Sequence, residues 1–145
     1  MAHTYNINYV HCVFSTKRRL PLIAEPEKVW ATIHEVARAS KIKALAVGGM
    51  ADHAHVLISI PSTRTVSEVM RELKCNSSLR IRKWNRVFSW QDGYGSISVS
   101  PSAIASVKRY IERQKAHHAG RSFEEEYTSM LERAGVTYDP EYLFD

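Results

Sequence analysis

Two histidines stand one residue apart in the stretch ADHAHVLISI, residues 51 to 60, at the mouth of an apolar run. Side chains alternate faces along a strand, so His53, His55, Leu57 and Ser59 share one face and Ala54, Val56, Ile58 and Ile60 the other. The two imidazoles are then rooted roughly 7 Å apart, close enough for the rings to converge on one metal ion. With 7 histidines in 145 residues, chance alone gives about 0.3 His-x-His pairs. Taken alone, the spacing favours two histidines bonded to neighbours on a wet sheet face. A second set lies in SVKRYIERQKAHH, residues 106 to 118, where Tyr110 and Gln114 are four apart and share one helical face. Lys108, Arg109, Arg113 and Lys115 surround them. Alone, this too reads more simply as a helix with one core tyrosine.

The elements that must carry these residues can be read from periodicity. YNINYVHCVFSTKRR alternates as a first strand over about Tyr5 to Ser15, with Val10, Cys12 and Phe14 on one side and Tyr9, His11 and Val13 on the other. A basic turn follows, closed by Pro21. Glu25-Pro26-Glu27 opens a helix whose apolar stripe is Val29, Trp30, Ile33, Val36 and Ala37. IKALAVGGMA is a second strand, in which Gly48-Gly49 signals a bulge or a close approach. HAHVLISI follows after a tight connection as its antiparallel neighbour. Thr65 or Ser67 caps a second helix over about Val66 to Trp84. A short strand carries Ile97 and Val99 between serines, and the third helix spans about Ser102 to His118, stopped by Gly120. The last helix begins at a capping box, Ser122 and Glu125, and the end of the chain docks through Tyr142, Leu143 and Phe144. The order β-α-β-β-α-β then helix gives an α+β fold: a ferredoxin-like (RRM-like) antiparallel sheet with helices on one face and an extra C-terminal helix. The other face carries His53 and His55 and stays available for a ligand.

No repeat or linker divides residues 1–145, so a single domain is expected. Its charge is uneven. Residues 1–121 carry a net +11 and residues 122–145 a net −6, together the +5 of the whole chain. A basic body of this kind attracts a polyanion, nucleic acid above all, and the plain alternative is a solvated basic surface with an acidic tail folded over it. The densest positive stretches are Lys17, Arg18 and Arg19, then Arg71, Lys74, Arg80, Arg82, Lys83 and Arg86. Trp84, Phe88, Trp90 and Tyr94 are interleaved with and beyond them, where rings can stack on bases or serve the core. No apolar run reaches the ~20 residues of a membrane span. No secretory leader is expected from Met-Ala-His-Thr-Tyr-Asn, and Cys12 and Cys75 read as buried, reduced thiols. Both point to the cytoplasm, with no membrane partner.

Asp52-His53-Ala54-His55 together with Tyr110-Ile111-x-x-Gln114 resembles the HUH single-tyrosine transposases of the IS-two-hundred-like family, including relatives associated with repetitive palindromes. The likeness extends through YVHCVFSTKRR, DHAHVLI, RELKCNSSLRI, WQDGYGSISVS and YIERQ, to about residue 118. The resemblance implies His53, His55 and Gln114 as ligands of Mg²⁺ or Mn²⁺, and Tyr110 as the nucleophile. It implies cleavage and religation of single-stranded DNA at hairpin-flanked ends through a 5′-phosphotyrosine, and a homodimer with active sites shared between subunits. Two imidazoles and an amide would leave the ion its full charge for a phosphate oxygen. Lys108 or Arg109 could steady a phenolate, Asp52 could orient a ligand histidine or simply serve a turn, and His11 reads first as a packing residue. His117-His118 suit a helix C-terminus better than a ligand role. Two alternatives stay open: a non-catalytic nucleic-acid-binding regulator on the same fold, and a metal-dependent nuclease using water.

Overall fold

The structure is a computed structural model that describes residues 3–114 and 121–145. The element order is β1 (Tyr9–Ser15), α1 (Pro26–Ala39), β2 (Lys43–Met50), β3 (His53–Ser59), α2 (Val66–Ile81), β4 (Gly95–Val99), α3 (Ile104–Glu112) and α4 (Phe123–Arg133). The four strands pair β2-β3-β1-β4, every neighbour antiparallel. That is the ferredoxin-like order expected from the sequence. Lys115, His117, His118 and Gly120, to which the sequence assigns the end of the third helix, lie outside the described residues.

Alternation along the strands builds two different layers. Val10, Cys12, Phe14, Ala54, Val56 and Ile58 face α1 and α2 and bury themselves against Ile33, Val36, Val69, Leu73 and Ile81. Pro26 in its first turn starts α1, and the Thr65 hydroxyl accepts from the Glu68 amide to cap α2. On the opposite face Leu57 and Ala46 pack under Ile111 of α3. Val13 packs with Phe123, Tyr127 and Leu131 of α4 and with Leu143 of the C-terminal turn. The face that alternation marks as wet is therefore covered. α3 and α4 enclose it, and both His53 and His55 are 0 % exposed.

Several boundaries differ from the sequence reading. β1 begins only at Tyr9, and Tyr5 and Ile7 lie exposed ahead of it. α2 ends at Ile81, before Trp84. A 3₁₀ turn, Pro101–Ala103, precedes α3. The bulge in β2 lies between Ala44 and Ala46 rather than at the glycines. Gly48 serves instead as the close approach: a Cβ there would lie 2.4 Å from the Ile111 carbonyl oxygen of α3. Of the docking residues at the chain end, Leu143 is buried and Phe144 half-buried beside it, whereas Tyr142 is exposed. Cys12 is buried, and burial pushes its thiol up to about 12. Cys75 is exposed, contrary to expectation, because it falls on the outer side of α2.

Candidate active site

The two histidines lie on β3 opposite Ser15 and Val13 of β1 and opposite Met50 and Gly48 of β2. His11, which pairs with Leu57, is the diagonal neighbour of His55 on the same face. His11 Nε2 and His55 Nδ1 are 2.8 Å apart. Burial first, and the neighbouring His55 second, pull the His11 imidazole down to about 3, with Glu126 opposing. His11 is thus a neutral partner that fixes the His55 ring rather than a packing residue alone.

His53 is oriented in the same way. Its Nδ1 lies 2.8 Å from Asp52 Oδ1. Burial raises the Asp52 carboxyl, but the hydrogen bond and charge of His53, aided by Arg19, outweigh it and hold the group below its ordinary value. An ionised carboxylate only accepts, so Nδ1 of His53 carries the proton and Nε2 points inward. Outer partners of this kind fix the tautomer of metal-binding histidines. The backbone supports the arrangement: the Thr16 amide and hydroxyl both donate to the Asp52 carbonyl. The Lys17–Arg19 turn that follows holds Arg18 and Arg19 at φ 57° and 56°.

Tyr110 and Gln114 arrive from α3 and the residues just past it. The Tyr110 ring stands edge-on to His55, with centroids 5.6 Å apart. Gln114 Oε1 is 3.2 Å from His53 Nε2. All four residues singled out by the resemblance therefore meet within one chain. The sharing between subunits that it implied is not required to bring them together.

One participant was not foreseen. Glu126 of α4 is 1 % exposed and sits at the centre of the group. Its Oε1 lies 3.1 Å from His55 Nε2 and 3.5 Å from His53 Nε2. Its Oε2 accepts from the Tyr110 hydroxyl and, at 3.2 Å, from Gln114 Nε2. Phe123, one turn earlier, stacks on the His53 ring at 3.8 Å between centroids. Burial first, then the hydrogen bond and charge of Glu126, push the Tyr110 phenol well above its ordinary range, so it is held protonated. Arg121 and Gln114 act in the opposite direction. Lys108 and Arg109 are exposed, and the cation acting on Tyr110 is Arg121. A sequence signal for Glu126 exists: Phe123, Glu126, Tyr127, Met130 and Leu131 form one helical stripe, apolar except for the acid.

The ligand atoms of His53, His55 and Glu126 lie within 4.8 Å of one another, and all three residues are buried. Two imidazole nitrogens with a carboxylate and an amide oxygen suit a divalent ion that accepts mixed nitrogen and oxygen ligands. The site so described carries one negative ligand charge that the histidine and glutamine set lacks.

The basic residues distribute more widely. Arg71, Lys74 and Arg82 line a cleft of about 320 Å³ with Ser67, Ser78, Ser89, Trp90 and Tyr94, on the α2 side of the sheet. Burial brings the Lys74 ammonium down to about 8, Asp92 opposing and Lys17 adding to the shift. The Lys74 amine donates to the carbonyls of Asp92 and Gly93. Lys17 pairs with Asp92 at 3.4 Å, Arg19 with Glu124 at 3.6 Å and Arg80 with Glu35 at 3.6 Å. Arg18, Lys83 and Arg86 sit in turns, Lys83 beside a smaller cleft with Arg80. Phe88 and Trp90 are core residues packed edge-on against each other, with Trp90 also edge-on to Phe14, leaving Trp84 and Tyr94 as the partly exposed rings. Another cleft, about 290 Å³, opens beside the site between Arg19, Pro21, Met50, Asp52, His53 and Phe123.

The sequence model of the family described as "Transposase IS200 like" matches residues 3–114. The chain is 32 % identical over 126 residues to the transposase for insertion sequence element IS200 of Salmonella typhimurium (strain LT2), covering 79 % of this chain and 81 % of that protein. The IS200 transposase of Salmonella typhi matches to the same extent. Among solved structures, a putative transposase from Deinococcus radiodurans R1 superposes with a TM-score of 0.63 at 19 % identity, over 79 % of this chain and 96 % of that one. A REP-associated tyrosine transposase bound to a REP hairpin gives 0.60 at 16 % identity, over 96 % and 91 %. The chain belongs to the IS200-like transposase family. The family match ends at Gln114, so α4 and Glu126 lie outside it. Among the described residues, no helix is long and apolar enough to cross a membrane.

Proposed function

We propose that this transposase cleaves and rejoins single-stranded DNA beside a hairpin, with Tyr110 as the nucleophile and a divalent ion, Mg²⁺ or Mn²⁺, as cofactor. The observation that carries the reading is the convergence at one buried point of a tyrosine hydroxyl and two histidine Nε2 atoms whose far nitrogens are already engaged. A bare phosphodiester repels nucleophiles. His53 and His55 with Gln114 would hold the ion, which would supply Lewis acidity toward a non-bridging phosphate oxygen. The Tyr110 oxygen forms a bond to phosphorus as the bond to the 3′-oxygen breaks. The phenol proton passes to the acceptor it already faces, Glu126 Oε2, and the departing 3′-oxygen takes a proton from solvent to become a 3′-hydroxyl. The phosphotyrosine keeps the ester bond, so attack by a 3′-hydroxyl reverses the step without ATP.

The single chain supports assembly of each site in cis, whether or not two chains pair. The Arg71, Lys74 and Arg82 cleft, with Tyr94 at its wall, suits phosphates next to an unpaired base. The structural neighbour bound to a REP hairpin supports a hairpin ligand here as well. The basic residues at 17–19, 80, 83, 86, 108 and 109 extend this surface and are proposed as weaker phosphate contacts. Incubation of the chain with end-labelled hairpin DNA carrying a single-stranded flank, with Mn²⁺, tests the reading on a denaturing gel. A covalent protein–DNA band is expected. No reaction points to a binding regulator, and cleavage without the band points to water as the nucleophile.

A further inference from the structure

We propose that Glu126 is itself a metal ligand, so that the C-terminal helix α4 completes the metal centre that the strand histidines begin. The inference deepens the metal-dependent reading above and rests on it.

Four observations converge. First, the orientation of Gln114 is fixed. Its amide nitrogen donates to Glu126 Oε2 and, at 3.4 Å, to the Tyr110 carbonyl, so its oxygen must face His53. Second, with its Nδ1 engaged by Asp52, His53 turns Nε2 inward. That nitrogen lies 3.2 Å from Gln114 Oε1 and 3.5 Å from Glu126 Oε1. Two imidazole nitrogens, an amide oxygen and a carboxylate oxygen thus converge on one buried point. Third, the separations suit one. Ligand atoms about 3 Å apart are what bonds of about 2.1–2.2 Å at right angles require, and Glu126 Oε1 lies 3.1 Å from His55 Nε2. Fourth, Glu126 is fully enclosed, with its ligand oxygen and the ligand nitrogens of both histidines all within 4.8 Å of one another.

The two oxygens divide the work. Oε1 faces the histidines and serves the ion. Oε2 holds the Tyr110 hydroxyl, so Glu126 also acts as a positioning residue, tying the nucleophile to the metal at a fixed separation. Phe123 and Tyr127, on either side of Glu126 and packed with Leu131 and Leu143, set the helix at the depth where the carboxylate reaches.

The test is calorimetric titration of Mn²⁺ into the full chain without DNA, comparing wild type with Glu126→Ala, Glu126→Gln, Gln114→Ala and His53→Ala. Circular dichroism monitors folding, and amide exchange monitors α4. Loss of even an outer partner of a metal site typically weakens binding about 10–100-fold. Glu126→Ala is therefore expected to weaken Mn²⁺ binding at least about tenfold. Glu126→Gln keeps the side chain's size and its packing while removing the charge, and it should also weaken binding if α4 stays protected. Wild-type affinity in both Glu126 variants, with affinity lost in His53→Ala, would overturn the inference and leave the histidine centre intact. Wild-type affinity in His53→Ala would instead remove the metal centre altogether, a separate failure of the underlying reading.

Discussion

A single methyl group at Gly48 should uncouple chemistry from DNA binding. Gly48 sits on β2 opposite His55, beneath the tyrosine helix. A Cβ at this position would stand 2.4 Å from the Ile111 carbonyl oxygen and 3.2 Å from its Cγ2. Carbon–oxygen contacts settle at about 3.3–3.6 Å. The backbone of α3 must therefore rise by about 1 Å, and Ile111 is the residue after Tyr110, so the phenol moves with it. Misplacement of a reacting group by about 1 Å costs on the order of 100-fold in rate. Overpacking a close contact costs about 1–3 kcal/mol of stability, which lowers the melting temperature by roughly 2–4 °C for each kcal/mol in a chain of this size. Gly48→Ala should thus fold and bind hairpin DNA with wild-type affinity, since the Arg71–Lys74–Arg82 cleft lies across the sheet. Its single-turnover rate of covalent adduct formation, on saturating labelled DNA, should fall about 100-fold. A folded Gly48→Ala protein forming adduct at the wild-type rate would show that the α3–β2 contact does not set the position of Tyr110.

Tyr110→Phe should bind hairpin DNA normally and form no covalent adduct, because it lacks only the attacking oxygen; residual adduct in a denaturing gel would move the nucleophile elsewhere. Mixing His53→Ala with Tyr110→Phe should restore no activity if each chain builds its own site. Partial recovery in tag-verified heterodimers would establish sharing between subunits. Lys74, drawn down to about 8, carries its charge at pH 7 and has largely lost it by pH 9. Hairpin affinity should therefore decline across that window, and Lys74→Met should flatten the decline; an unchanged slope in the variant would remove Lys74 from the DNA surface. Affinity should also fall steeply as salt rises, and a flat salt series in a filter-binding assay would contradict phosphate contacts by this cleft.

The architecture was legible because its periodicities are local. Alternation in β1 and β3 assigns Val10, Cys12, Phe14, Ala54, Val56 and Ile58 to one face and His11, His53 and His55 to the other, and the structure keeps that division. Caps at Thr65 and Ser122 sit where the residue types place them. What alternation cannot report is what covers a face. Polar residues at 11, 53 and 55 read as solvated, yet they lie under α3 and α4, because a buried imidazole whose two nitrogens both have partners costs little. The aromatic run shows the same limit. Trp90 and Phe88 look like neighbours for DNA in the sequence, but their rings close the α2 core, and only Trp84 and Tyr94 retain exposure.

Glu126 marks the sharpest boundary of what the sequence could say. It stands in a run of three glutamates, Glu124 to Glu126, in the acidic C-terminal helix and tail. Net charge treats the three as equal, but helical geometry does not. Glu124 reaches out to Arg19 and Glu125 remains exposed, while Glu126 falls between Phe123 and Tyr127 on the apolar stripe. An ionised carboxylate within such a stripe carries a desolvation cost that hydrophobic contacts cannot offset. Partners of opposite character lie beneath it: the buried His53 and His55 contact its carboxylate, and the ion proposed above would lie between them. The seven acidic residues of the C-terminal segment thus do unequal work: six lie on the surface, and one is set into the site where the chain's chemistry is concentrated.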